Sequence, residues 1–135
     1  LNMTFQEYLK ALKKKSLELR IKILEMMAKS KSGYIGSCYS AVEILVGLYY
    51  GQSLEGPILN IDPAKPGWSE QDYFILSKSQ AAPLWYALLA DLGFFDETEL
   101  QYFNSAGKII RQENDRNGDG EIDEKQCFVN CSAQI

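Results

Sequence analysis

Apolar positions recur at helical spacing early in the chain. Leu17, Ile21, Leu24 and Ala28 stand at i, i+4, i+7 and i+11 and draw one apolar stripe. Just upstream, Thr4-Phe5-Gln6-Glu7 reads as a capping box, with Thr4 as N-cap and Glu7 reaching back. Together they predict a long helix to about Ser30. It should close near Ser32-Gly33, where Gly33 can take the left-handed geometry of a C-cap. Residues 32–40 (SGYIGSCYS) form a loop of small residues. Ser40-Ala41-Val42-Glu43 is a second capping box and opens a helix to about Tyr50. That helix is apolar almost all round, a pattern that calls for burial on several sides.

Residues 51–71, with Pro57, Pro63, Pro66 and three glycines, read as a loop. Tyr73-Phe74-Ile75-Leu76 is a short apolar run before a polar turn, the pattern of a buried parallel strand. Ser77-Lys78-Ser79-Gln80 leads into a helix from about Ala81 to Leu92, with Pro83 tolerated in its first turn and Gly93 at its end. Asp96 caps another helix to about Phe103. The order helix, helix, strand, helix, helix points to an α/β fold in which one strand is clear. Trp68 and Trp85 read as packing residues.

At 135 residues the chain has room for one domain and one core. With 46 % apolar and 24 % charged residues it has an ordinary globular mix. Its net charge of −4 argues against a nucleic-acid module. The charge is uneven: residues 1–35 carry eight Lys/Arg against three Asp/Glu, and residues 93–135 carry four against nine. The basic stretch reads as the solvated face of a helix. There is no histidine, so Ser-His-Asp and Cys-His catalysis and His-ligated zinc are excluded. Cys38, Cys127 and Cys131 form no CxxC pair, and their odd number without a disulfide framework suggests a reducing compartment. Cys127 and Cys131 fall on one face of an expected final helix. No signal segment and no run of 18 apolar residues is present, so the expectation is a cytoplasmic chain with no membrane contact.

Several ordered motifs resemble the transketolase family, and in particular the N-terminal, thiamine-diphosphate-binding half that occurs as a separate chain in split transketolases. Ser32-Gly33-Tyr34-Ile35-Gly36 and Ser40 resemble the family's S-G-H-x-G-G-S-L-S. Leu48-Tyr49-Tyr50-Gly51 matches the end of the helix that follows. Asp62-Pro63, Pro66, Trp68 and Asp72 match D-P-x-x-P-x-W-x-x-x-D, and Phe74-Ile75-Leu76-Ser77-Lys78 matches the next strand and turn. Ala81-Ala82-Pro83, Tyr86-Ala87 and Gly93-Phe94-Phe95 continue the series. The resemblance covers about residues 17 to 107. It implies a helix-rich α/β chain, a partial doubly wound thiamine-diphosphate-binding fold. It also implies transfer of two-carbon ketol units between sugar phosphates, at a site completed by a C-terminal, pyrimidine-binding partner chain in a homo- or hetero-oligomer.

On this resemblance Ser32, Gly33, Tyr34, Ser79 and Gln80 fall at cofactor-binding positions. Tyr34 and Gln80 occupy the family's histidine positions. Both can donate hydrogen bonds to a phosphate, and neither works as an imidazole acid or base. No residue is assigned a certain catalytic role, and activity of the chain alone is not expected.

Residues 115–126 (DRNGDGEIDEKQ) support three readings. In the first, Gly118, Asp119, Gly120 and Glu121 are the family's G-D-G-E motif. Asp119 then holds Mg²⁺ against the diphosphate, as a hard cation requires. The residues before the motif are polar rather than strand-like, and the family's later asparagine ligand would fall past residue 135. In the second, an EF-hand-like Ca²⁺ loop uses Asp115, Asn117, Asp119, Glu121 and Asp123, with Gln126 where the bidentate glutamate belongs. In the third, the segment is a polar surface turn. The chain thus divides into a transketolase-like part, residues 1–110, and a Gly-Asp-Gly loop with a final helix, residues 111–135, of the same domain.

Overall fold

A computed structural model describes residues 3–65 and 67–103. Helix α1 (Phe5–Ser30) begins as its local chemistry dictates. The Glu7 N–H donates to Thr4 Oγ1 at 3.2 Å, and the Thr4 N–H donates to the Glu7 carboxylate at 2.8 Å. The box thus satisfies two donors that the first turn leaves free. At the other end Lys31, not Gly33, takes the left-handed position, with φ 51°. Gly33 follows in the link with φ 130°.

The face that α1 buries differs from the expected stripe. Leu17 is 58 % exposed, Ile21 and Leu24 are each 49 % exposed, and Ala28 is exposed as well. Ser16, Leu19, Ile23, Met26 and Met27 are buried instead. The helix carries two apolar stripes, and ion pairs select between them. On one flank of the buried stripe Lys15 and Lys22 reach Asp91, at 2.8 and 3.0 Å. On the other flank Arg20 reaches Glu43 at 2.6 Å. Rotating α1 to bury Leu17 and Ile21 would carry all three cations away from their partners.

Helix α2 (Ile35–Tyr39) is a short helix inside the segment expected to be loop. Helix α3 (Val42–Tyr50) follows, but its capping box does not form. Ala41 is the N-cap, and the Ser40 hydroxyl donates instead to the Ser37 carbonyl at 3.0 Å. Helix α3 buries Val42, Leu45 and Val46 and leaves Ile44 65 % exposed, so it is covered on one side rather than several. Strands β1 (Gln52–Ser53) and β2 (Gly56–Pro57) form a small antiparallel hairpin, tied to α1 where the Gln52 N–H donates to the Tyr8 hydroxyl at 2.8 Å.

The 73–76 run forms no strand and joins no sheet among the described residues. Phe74 and Leu76 pack against the core, while Tyr73 and Ile75 point outward, 61 % and 63 % exposed. Its period is therefore that of a half-buried strand, not the doubly buried one expected from an unbroken apolar run. A 3₁₀ turn (Ser79–Ala81) leads into helix α4 (Ala82–Asp91), with Pro83 in its first turn and Gly93 in positive φ just past its end. Asp96 caps the next segment by accepting the Thr98 N–H at 2.8 Å, and that segment (Glu97–Tyr102) is a 3₁₀ helix. Helix α4 is the centre of the core. Leu84 and Leu88 are fully buried in one cluster with Leu19, Ile23 and Leu45. Trp85 joins an aromatic cluster with Phe74 and Tyr49, at centroid distances of 5.0 and 5.7 Å. No described helix is long and apolar enough to cross a membrane.

Asp91, at the end of α4, has only 11 % of its side chain exposed. Burial raises the cost of its charge. Hydrogen bonds from Lys15, Tyr50 and Lys22 outweigh that cost and hold its carboxyl below the usual carboxylate range. Burial, and then the neighbouring Asp91, push the Tyr50 phenol up.

Two stability measurements test this arrangement. Leu19→Ala is expected to cost about 3 kcal/mol in urea unfolding, and Leu17→Ala less than about 1 kcal/mol. The reverse order would mean that the outer stripe is the packed one. Asp91→Asn is expected to cost about 1–2 kcal/mol at neutral pH, because Lys15 and Lys22 lose their shared buried partner and keep only Glu18 and Glu97. Since the folded-state pKa of Asp91 is depressed, its contribution is present above the ordinary carboxylate value and lost as pH falls through the lowered one. The gap between wild type and Asp91→Asn should close in acid, which a pH series of urea midpoints would read.

Candidate functional site

Two loops that sequence places about 40 residues apart come together at one end of the core. The first is the 31–41 link that holds α2. The second is the 77–81 turn ahead of α4. Helix α2 packs against both the 3₁₀ turn and α4. Two bonds join the loops directly. The Cys38 thiol donates to the Gln80 carbonyl at 3.4 Å, and the Lys78 ammonium donates to the Ser40 hydroxyl at 2.9 Å.

Local chemistry shapes each loop. Ser30 Oγ accepts the Ser32 N–H at 3.3 Å and donates to the Ser32 carbonyl at 3.1 Å, which tightens the exit from α1. Gly33 sits at φ 130°, and a Cβ there would lie 2.9 Å from Met27 Cε. Both its backbone angle and its close approach to α1 favour glycine. Tyr34 precedes α2, is 68 % exposed, and its carbonyl accepts the Cys38 N–H at 3.1 Å. Ser79 is half-buried and Gln80 is exposed. No hydrogen bond joins Tyr34 to Gln80 among the described residues; the loops meet through Cys38, Ser40 and Lys78.

Cys38 is fully buried. Burial pushes its thiol up, partly offset by the Leu84 N–H and the charge of Lys78. It is a packed donor rather than a nucleophile. The exposed side chains of the two loops include the Tyr34 phenol, the Gln80 amide and the Lys78 ammonium. That is a set of hydrogen-bond donors suited to an anion's oxygens. No group of acidic or thiol ligands that could hold a metal ion occurs among the described residues. Gly118, Asp119, Gly120 and Glu121, and with them the Ca²⁺-loop residues Asp115, Asn117 and Asp123, lie outside the described residues. A cleft of about 210 Å³ between α1 and the 97–102 turn is lined by Lys22, Lys29, Glu97, Thr98 and Gln101 and shares no residue with the two loops.

Residues 12–114 match the family model described as "Transketolase, thiamine diphosphate binding domain". The chain belongs to this transketolase family. Among its relatives, a 6-deoxy-6-sulfo-D-fructose transketolase subunit of Clostridium sp. (strain MSTE9) is 36 % identical over 87 residues, which is 64 % of this chain and 30 % of that protein. Transketolase of Mus musculus is 39 % identical over 95 residues, 70 % of this chain and 14 % of that protein. An apulose-4-phosphate transketolase subunit of Actinobacillus succinogenes is 34 % identical over 110 residues, 80 % of this chain and 36 % of that protein. This transketolase-family chain therefore spans well under half the length of these relatives. Both loops, 31–41 and 77–81, lie inside the matched region.

Motif spacing places Tyr34 and Gln80 on these loops, but it does not single out the residues that join them. In sequence Ser40 reads as a helix cap and Lys78 as part of a turn motif. No spacing rule in the chain announces their contact, which spans 38 residues. Gly33→Ala should cost about 1–2 kcal/mol, because strain at positive φ adds to the contact with Met27. A urea midpoint unchanged by this substitution would contradict the stated geometry.

Proposed function

We propose that this chain binds the diphosphate end of thiamine diphosphate and serves two-carbon ketol transfer between sugar phosphates together with a partner chain. The observation that carries the reading is the junction of the 31–41 and 77–81 loops. They lie within the region matching the thiamine diphosphate binding domain and carry the exposed side chains of Tyr34, Lys78 and Gln80. On this reading Ser32, Gly33, Tyr34, Ser79 and Gln80 line the diphosphate, and Gly118, Asp119, Gly120 and Glu121 supply the Mg²⁺ side, with Asp119 as ligand. The partner is a C-terminal transketolase-like chain that holds the pyrimidine, and the fold of this chain is a partial doubly wound one. Two of the relatives are named as subunits, which supports a divided enzyme. When bound, thiamine diphosphate supplies the carbanion chemistry. This chain's own residues would bind and orient it.

A second reading is a non-catalytic interaction module of the same fold. Tyr34 and Gln80 favour it, since a phenol and an amide bind phosphate but do not relay protons as imidazoles do.

Calorimetric titration of the full chain with thiamine diphosphate and Mg²⁺, with Ca²⁺ alone as control, tests the first reading. The expected result is saturable binding that requires Mg²⁺ and weakens about three- to tenfold in Tyr34→Phe, the loss of one neutral hydrogen bond. Binding indifferent to Tyr34 and Gln80 substitutions, alone and with the partner chain, would leave the non-catalytic module. A heat signal with Ca²⁺ alone would transfer the acidic loop to calcium.

A further inference from the structure

Tyr34 and Gln80 stand on different loops, and no hydrogen bond joins them among the described residues. One residue is bonded to both. The Cys38 N–H donates to the Tyr34 carbonyl at 3.1 Å, inside the turn that opens α2. The Cys38 thiol donates to the Gln80 carbonyl at 3.4 Å, across 42 positions of sequence. The same sulfur accepts the Leu84 N–H, from the first turn of α4. The backbone of Cys38 thus belongs to the first loop, while its side chain is held by the second.

The two bonds that join the loops differ in kind. Lys78 and Ser40 are both exposed, so water competes for each partner. Cys38 is 0 % exposed and lies in the core cluster with Val42, Leu45 and Leu84. Out of water a hydrogen bond is stronger and is not exchanged for one to solvent. A thiol suits the place, because it packs as a small apolar group and still has a proton to give. It fixes the Gln80 backbone and leaves the Gln80 side chain exposed, as the Tyr34 side chain is. We propose that Cys38 is a positioning residue of the candidate site: by tying the Gln80 backbone to the turn that follows Tyr34, it sets the spacing at which the phenol and the amide meet a diphosphate. It touches no ligand itself. The proposal rests on the thiamine diphosphate reading and names the residue that makes one site of two loops.

Calorimetric titration of the full chain with thiamine diphosphate and Mg²⁺ reads the effect. Cys38→Ala should weaken binding about three- to fivefold, the loss of one weak hydrogen bond. Cys38→Ser removes similar volume but keeps a donor and an acceptor, so it should recover part of that affinity. Urea midpoints of both variants separate weakened binding from lost folding. In a Gln80→Ala background, Cys38→Ala should weaken binding no further, because it acts through Gln80. A cysteine that only fills the core would cost the same in either background. Unchanged binding in Cys38→Ala, a serine variant as weak as the alanine one, or fully additive losses would each overturn the proposal. Nuclear magnetic resonance keeps the test apart from the cofactor reading. The signals of Tyr34 and of the Gln80 side-chain amide should shift together in Cys38→Ala and move back in Cys38→Ser. If the wild type takes up no thiamine diphosphate, that reading fails on its own. Signals that shift as stated then sustain the tie between the loops, and signals that stay in place overturn it.

Discussion

A carboxylate almost out of water costs several kcal/mol unless cations and donors meet it. Asp91 is met from two directions, by Lys15 and Lys22 on α1 and by Tyr50 at the end of α3. Much of the fold follows from that convergence. It fixes the rotation of α1, and so decides that Leu19 and Ile23 face the core with Leu84 and Leu88 while Leu17 and Ile21 face out. It locks the C-terminal ends of α3 and α4 to the same stretch of α1. Lys22 also reaches Glu97 at 3.1 Å, which draws the 97–102 turn onto the same side. With α1 set, its far end delivers the 31–34 link to α2, and α2 meets the turn that opens α4. The candidate site is thus positioned by an ion cluster with which it shares no residue.

The elements readable from sequence are those governed by contacts within a few residues. The Thr4–Glu7 box, Pro83 in the first turn of α4, Gly93 at its end and the Asp96 cap all form as their local chemistry requires. The misreadings share one cause. Periodicity shows that α1 is amphipathic, but two stripes satisfy it, and only the long-range partners of Lys15, Lys22 and Arg20 choose between them. Ser40 has cap chemistry, yet Lys78, 38 residues away, engages its hydroxyl. The 73–76 run has strand composition. Whether a strand is buried on one face or two depends on what covers it, and that information is not local.

The site shows the same division. Its loops are legible as motifs, because small residues and a positive-φ glycine leave a recognisable string in the chain. Their junction is not. A buried cysteine looks the same in sequence whether it packs, reacts or binds metal. Here burial against α4 and a bond to the Gln80 carbonyl make Cys38 a structural donor. The acidic segment at 115–126 remains a matter of sequence chemistry, since it lies outside the described residues.

The residue types on the two loops also limit what the surface can do. An anion's oxygens ask for donors, and the Tyr34 phenol, the Lys78 ammonium and the Gln80 amide are of a type that can give them without any proton changing hands. Ketol transfer asks for more, because carbon–carbon bond making and breaking moves protons on and off hydroxyls. Imidazole performs that task near neutral pH, and the chain has no histidine at all. The one thiol among the described residues is pushed toward its neutral form by burial, so it does not take the role over. Binding and proton transfer therefore separate physically. On the proposed function the described loops would serve the first, and the second would fall to groups outside them.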